Sequence, residues 1–228
     1  MTIGLCLLVY NELEGCKIDI PQLQLNHFDQ VFAVDGGSTD GTLEYLKSNN
    51  IDVRIQPRKG YNFAYIYAFD IATTDVLIFF HPKGSVNPHC LLHFKKYFEN
   101  GFELVIASRI IKGAKNEEDG FLLKPRKWFV IVLGIIAGIL WKKEGIYIWD
   151  VLHGLRGMSK KAFLSIKPLD YGLSMDVEMV IRSYKMKIKR IEFPIEEKVR
   201  AYGRSHFKPI PTGIKLAKYL WFELTRKD

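Results

Sequence analysis

The chain has 228 residues, 48% of them hydrophobic and 25% charged, enough for one large core and too apolar for a disordered chain. Its cysteines, Cys6, Cys16 and Cys90, are odd in number and form no C-x-x-C pair, which argues against a disulfide scaffold or zinc site and for a reduced, cytoplasmic chain. The net charge of +8 is uneven: residues 1–100 carry −3 and residues 101–228 carry +11, so the second half faces phosphates, nucleic acid or an acidic lipid surface.

No zinc-finger spacing or aromatic-rich RNP pattern is present, so nucleic acid is not the expected partner. Residues 1–10 lack a basic leader and their apolar run is of strand length, unlike a signal peptide. That run, 3–9, is the first predicted strand. Short apolar runs follow at 31–34, 53–55, 76–80 and 104–107, with helical patterns between them at 43–48, 62–72 and 89–97. Strands alternating with helices predict an α/β fold, a mostly parallel sheet with helices on both faces. The continuous run at 76–80 suits a central strand. Right-handed crossovers bring the strand ends to one edge. Tyr10, Asn11, Glu12, Asp35 and His81 fall at such ends, which predicts one site there. The aromatics of 62–72 read as core packing.

The second strand runs into Val34-Asp35-Gly36-Gly37-Ser38-Thr39-Asp40-Gly41-Thr42. Glycines let backbone amides approach a ligand, and Asp40 can cap the following helix. About 25 residues earlier the first strand ends in Tyr10-Asn11-Glu12. Together these motifs resemble the family 2 glycosyltransferases, whose fold is called GT-A. The likeness extends to about residue 208 and is nearest the polyprenyl-phosphate branch that includes dolichyl-phosphate mannose synthase. It implies a nucleoside-diphosphate sugar as donor, with Tyr10, Asn11, Glu12 and Asp35 at the nucleoside. Gly36 departs from the family's second acid. Arg58-Lys59-Gly60 matches a turn near the donor phosphates, giving Lys59 a phosphate role; a plain solvated turn is the alternative.

The fourth strand ends in His81-Pro82-Lys83, where the family carries Asp-x-Asp to hold Mg²⁺ or Mn²⁺. Hard cations are poorly served by His, and a protonated Lys cannot bind them. Either Lys83 replaces the metal as counter-charge, or catalysis is lost; a third reading has His81 and Asp35 holding a transition metal. One ammonium about 4 Å from a phosphate oxygen is worth about 4 kcal/mol at an effective dielectric of about 20. A divalent ion doubles that, so Lys83 needs help from Lys59 or an arginine.

Ser108-Arg109 matches the family's Gly-Ser-Arg, which implies that Arg109 meets an anionic acceptor or a donor phosphate; a strand-end arginine paired with an acid is the alternative. The polar loop 112–120 reads as a mobile lid. After Lys124-Pro125-Arg126-Lys127 comes an unbroken apolar run, 128–141, about 21 Å of helix against a hydrocarbon core of about 30 Å. Basic residues and tryptophans flank it, which marks 124–143 as a membrane-interface segment or, alternatively, a core helix or dimer seam. Gly134 and Gly138 form a G-x-x-x-G compatible with close helix contact or a homo-oligomer. Asp150-Val151-Leu152-His153-Gly154-Leu155-Arg156 resembles the family's Asp-x-x-x-Gly-Phe-Arg. A helix is expected at 171–181 and a late strand at 188–195. Arg200, Gly203 and Ser205 keep the family's Arg-x-x-Gly-x-Ser-Lys, with His206 at the lysine position and Lys208 two residues late. The tail, 209–228, reads as an amphipathic helix on the protein or on lipid.

These readings add up to a single GT-A domain, 1–228, acting as an inverting hexosyltransferase. The expected acceptor is a polyprenyl phosphate at the cytosolic membrane face; the alternatives are a glycan hydroxyl, or a non-catalytic nucleotide-sugar-binding relative. Lys83, His81 and Asp150 are the candidate catalytic residues. Tyr10, Asn11, Glu12, Asp35, Lys59 and Arg200 are expected at the donor, and Arg109, Arg126, Ser205 and Lys208 at the acceptor phosphate. No metal ligand is assigned, although Mg²⁺ or Mn²⁺ is what the family likeness would supply.

Overall fold

The computed structural model describes residues 1–203 and 209–226. Seven strands form one sheet in the order β3-β2-β1-β4-β6-β5-β7: β1 Ile3–Val9, β2 Gln30–Asp35, β3 Asp52–Ile55, β4 Val76–Phe80, β5 Leu104–Ser108, β6 Arg156–Ser159 and β7 Arg190–Pro194. The helices are α1 Leu13–Asp19, α2 Thr42–Ser48, α3 Tyr61–Ile71, α4 His93–Glu99, α5 Pro125–Trp141, α6 Lys160–Ser165, α7 Met175–Lys185 and α8 Pro209–Thr225. Strand β1 pairs in parallel with β2 and β4, and β5 with β7; only β6 runs against its neighbours.

The chain order reverses between β1 and β4, whose neighbouring carboxyl ends open the crevice in which such sheets bind ligands. Strands β1 and β4 are buried along their whole length, which is why their sequences are continuous apolar runs. Alternate residues feed two cores. Cys6, Leu8, Leu77 and Phe79 pack with α3, α5, α7 and α8, while Leu5, Leu7, Ile78 and Phe80 pack with α1, α2 and α4.

One strand was not foreseen, and three expectations need correction. Strand β6 carries no strand pattern in its sequence, Arg-Gly-Met-Ser; it fits because Gly157 lets the Phe98 ring and Ile78 close over it, a Cβ there standing 2.9 Å from Phe98 Cζ. The helix expected from 89 is a 3-10 turn, Pro88–Leu92, that passes into α4. Helix α7 begins at Met175, not 171, because Gly172 has a φ of +91°. The G-x-x-x-G of α5 meets its own chain: a Cβ on Gly134 would stand 3.0 Å from the Trp149 carbonyl oxygen, and one on Gly138 2.1 Å from the Tyr147 ring. Those glycines therefore admit residues 147–149, not a second helix.

Candidate active site

The turns after β1 and β2 are laced together. Asn11, at φ 51°, donates its amide to Ser38 Oγ at 2.8 Å and accepts from the Thr39 amide at 2.8 Å. The Glu12 amide donates to Thr42 Oγ1 at 2.9 Å. Asp40 accepts from the Leu13 amide and from the Thr42 amide and hydroxyl, so it ties the start of α2 to α1. Asp35 is buried and its carboxylate accepts from Gly37 N, Ser38 N and Ser38 Oγ at 2.7, 2.8 and 2.5 Å. Both of its oxygens serve the turn, which corrects the reading of Asp35 as a transition-metal ligand with His81. Gly36 lies under Tyr10, where a Cβ would stand 3.1 Å from the ring. Exposed Lys59 reaches the same turn, its Cε 3.6 Å from where a Cβ on Gly37 would be.

A second cluster sits at the end of β4. His81, Lys83, Ser85, His153, Gly154 and Glu197 line one small pocket. Gly154 is required here, since a Cβ would stand 2.6 Å from His81 Nε2. The rings of Tyr61 and Tyr65 lie on the imidazole, at 6.3 and 6.5 Å between centroids. Burial, then Lys83 and His153 nearby, push the His81 pKa well below its ordinary value, so the imidazole is neutral. Burial also pushes the Lys83 pKa down; Glu197 opposes that, while Arg109 and Arg200 add to it.

Asp150, Arg109 and Glu197 form the wall behind this pocket. Arg109 Nε and Nη2 donate to the two Asp150 oxygens at 2.9 Å each, and Nη1 donates to Glu197 Oε2 at 2.9 Å. Burial alone would raise both carboxyls, but Arg109 outweighs it and holds Asp150 and Glu197 below the usual carboxylate range. Two expectations are corrected here. Asp150 is committed to a guanidinium and is a poor proton acceptor. Arg109 is spent inside the protein, not presented to an acceptor phosphate. His153 Nδ1 donates to the Ala107 carbonyl at 2.5 Å, leaving Nε2 3.8 Å from Glu197 Oε1, an orienting role.

Arg200 pairs with Glu12 and donates from Nε to the Tyr202 carbonyl at 2.7 Å, so the segment before residue 203 crosses back to the end of β1. Arg126 pairs with Glu117 at 2.8 Å on the exposed start of α5, apart from the residues that line the pocket. Ser205 and Lys208 lie outside the described residues. The sequence reading missed Glu197. It arrives through backbone bonds from Lys198 N to Ser85 O and Glu197 N to Lys115 O, at 2.8 and 2.9 Å, and nothing in Glu196-Glu197-Lys198 announces that.

A divalent ion does not fit this donor set. The positions that would ligate it hold an imidazole wedged on Gly154 and an ammonium, both poor partners for a hard cation. Among the described residues no group of three His, Cys, Asp or Glu is placed to hold a metal.

Comparison with known proteins bears on the fold and the family. The dolichol-phosphate mannosyltransferase of Pyrococcus furiosus is 27% identical over 218 residues, covering 91% of this chain and 60% of that protein. This chain therefore spans less than two thirds of that relative's length. Glucosyl-3-phosphoglycerate synthase from Mycobacterium tuberculosis, in complex with Mn²⁺, UDP-glucose and phosphoglyceric acid, superposes with a TM-score of 0.71 at 18% identity, over 100% of this chain and 81% of that one. The same synthase with phosphoglyceric acid gives 0.72 at 17%. At such identities the likeness is one of fold, and that fold is GT-A. The model of glycosyl transferase family 2 matches residues 22–166, well over half of the chain, and the chain belongs to that family.

Proposed function

We propose that the protein transfers a sugar from a nucleoside-diphosphate sugar to a polyprenyl phosphate, with Lys83 in place of the usual divalent ion. The observation that carries this is the Lys83 side chain itself. It stands just beyond the central strand β4, and among the described residues it makes no ion pair, while nearby Arg109 is paired with both Asp150 and Glu197. A diphosphate in the crevice between β1 and β4 would meet Lys83 on one side, with Arg200 and Lys59 within the same rim. Bound anion favours the charged form of an ammonium that burial has weakened.

An acceptor phosphate oxygen attacks the anomeric carbon as the bond to the donor diphosphate breaks. The acceptor is already anionic, so no proton has to be removed. Catalysis is then positioning plus charge neutralisation at the leaving oxygen. This suits a pocket in which Asp150 is tied up by Arg109. A hydroxyl acceptor would need a base, and burial makes the His81 imidazole a weak one.

The lipid acceptor is supported by α5. Its 17 residues span about 26 Å at about 1.5 Å each, and no helix among the described residues is long and apolar enough to cross a membrane. One face is buried through Val130, Leu133 and Ala137; the other exposes Trp128, Val132, Ile136 and Ile139. Leu122, 94% exposed, lies just ahead of it. An apolar face bordered by Lys124, Arg126, Lys142 and Lys143 suits the interface of an anionic bilayer.

The test is transfer to polyprenyl phosphate from a panel of sugar nucleotides, in EDTA and with added Mg²⁺ or Mn²⁺. We expect transfer in EDTA and a loss of about a hundredfold or more in Lys83→Asp, the scale of removing one preorganised charge-stabilising donor. No transfer from any donor under any of these conditions, or an undiminished Lys83→Asp protein, refutes the reading.

A further inference from the structure

Asp19 sits in the last turn of α1 and is only 2% exposed. A buried carboxylate normally has a cationic partner, yet among the described residues Asp19 forms no ion pair. Its Oδ2 accepts from the Gly84 amide at 2.8 Å. Burial nevertheless pushes its pKa up to about 6, with the backbone amides of that turn pulling the other way. The acid is thus kept at a cost, and the group it holds is the Gly84 amide, next to Lys83.

The rest of α1 is shaped to the same turn. A Cβ on Gly15 would stand 2.3 Å from the Pro82 carbonyl oxygen and 2.9 Å from Lys83 Cα, so only glycine lets α1 approach this closely. Ile18 closes on Gly84, which has a φ of +65°. Ala201 donates its amide to the Lys83 carbonyl at 3.4 Å. Residues 82–84 are therefore held by both α1 and the segment around Ala201. The Lys83 side chain leaves this grip and lines the pocket with Glu197. Glu197, Arg109, Arg200 and Glu12 act on its ammonium, and among the described residues Asp19 makes no ion pair with it. An acid that holds the backbone without touching the ammonium fixes where the charge stands and does not neutralise it.

We infer that Asp19 is a positioning residue for Lys83, anchoring residues 82–84 so that the ammonium is presented to the donor diphosphate. The inference rests on the role proposed for Lys83. Its experiment therefore has two readouts: hydrogen exchange at the Gly84 amide in the ligand-free protein, and calorimetric titration with UDP, GDP and CDP. The variants are Asp19→Ala, Asp19→Asn and Gly15→Ala, each with Lys83 present and in a Lys83→Ala background.

Asp19→Ala should speed Gly84 exchange about tenfold, the scale of one lost hydrogen bond to a charged group. It should weaken the preferred nucleotide by a similar factor where Lys83 is present and leave affinity unchanged in Lys83→Ala, the signature of two residues acting as a unit. Asp19→Asn, which keeps an acceptor oxygen, should restore most of both. Gly15→Ala, which displaces the turn without changing charge, should reproduce the weakening. Unchanged Gly84 exchange in Asp19→Ala overturns the inference, as does equal weakening with and without Lys83. Should no nucleotide bind, or Lys83→Ala bind as the parent does, the role of Lys83 falls, and Gly84 exchange alone decides whether Asp19 anchors the turn.

Discussion

Gly154 shows how a single residue constrains the pocket. Its missing side chain is the space in which the His81 ring lies, with Nε2 2.6 Å from where a Cβ would be. The ring cannot swing away freely, because Tyr61 and Tyr65 pack on it and Tyr61 is itself hydrogen-bonded to Asp176 at 2.7 Å. Gly154→Ala should therefore destabilise the protein by about 1–3 kcal/mol, as overpacking of a filled site does. Urea unfolding followed by fluorescence measures it, and an unchanged midpoint would show that the ring relaxes without penalty. The glycine, histidine and lysine were each legible in the sequence at strand ends or in motifs. Their contact was not, because residues 81 and 154 meet only when β6 inserts beside β4. For the same reason Arg109 was recognisable as a strand-end arginine, while its two carboxylate partners, Asp150 and Glu197, were not.

The final helix is an element whose sequence was ambiguous. An amphipathic pattern with interspersed lysines suits lipid or protein equally. In the fold α8 buries Leu216, Tyr219 and Glu223. Glu223 accepts from Arg182 Nη1 and Lys185 Nζ of α7 at 3.1 Å each, and Arg226 Nη1 donates to Glu178 at 2.8 Å. Arg182 and Glu223 are both fully buried, so Glu223→Ala removes a buried carboxylate that Arg182 and Lys185 of α7 both contact. Glu223→Ala should cost about 3–5 kcal/mol and free α8 to exchange its amides, which hydrogen exchange would detect. Retained protection of α8 in that variant would mean the apolar contacts suffice to dock it. Helix α5 was legible as an apolar segment, but its glycine spacing pointed to a neighbouring helix when the neighbour is the loop at 147–149.

At the scale of the molecule, positive charge and exposed apolar area coincide on the second half of the chain. Lys124, Arg126, Lys127, Lys142 and Lys143 frame an α5 face that exposes Trp128 and Ile139. The full chain should bind vesicles containing phosphatidylglycerol and ignore neutral ones, with affinity falling as salt rises, since each basic residue near such a surface contributes about 1 kcal/mol. Trp128→Glu with Ile139→Glu should abolish sedimentation with the vesicles and leave the melting temperature within a few degrees, because both side chains already face solvent. Binding that survives the double substitution would place the membrane contact elsewhere.

The sequence by itself determined every strand but β6, the alternation of strands with helices and the edge on which polar residues gather. Those features rest on local patterns: apolar runs of strand length, glycine-rich turns and motif spacing. It also exposed the exchange of acids for His81 and Lys83, because a substitution inside a motif is visible without any geometry. Only the tertiary structure decided which charges are already spent and which remain available. That depends on contacts across long stretches of chain, such as Glu197 with Arg109, Asp19 with Gly84 and Gly154 with His81. Burial and pairing are properties of the folded neighbourhood, and no single segment carries them.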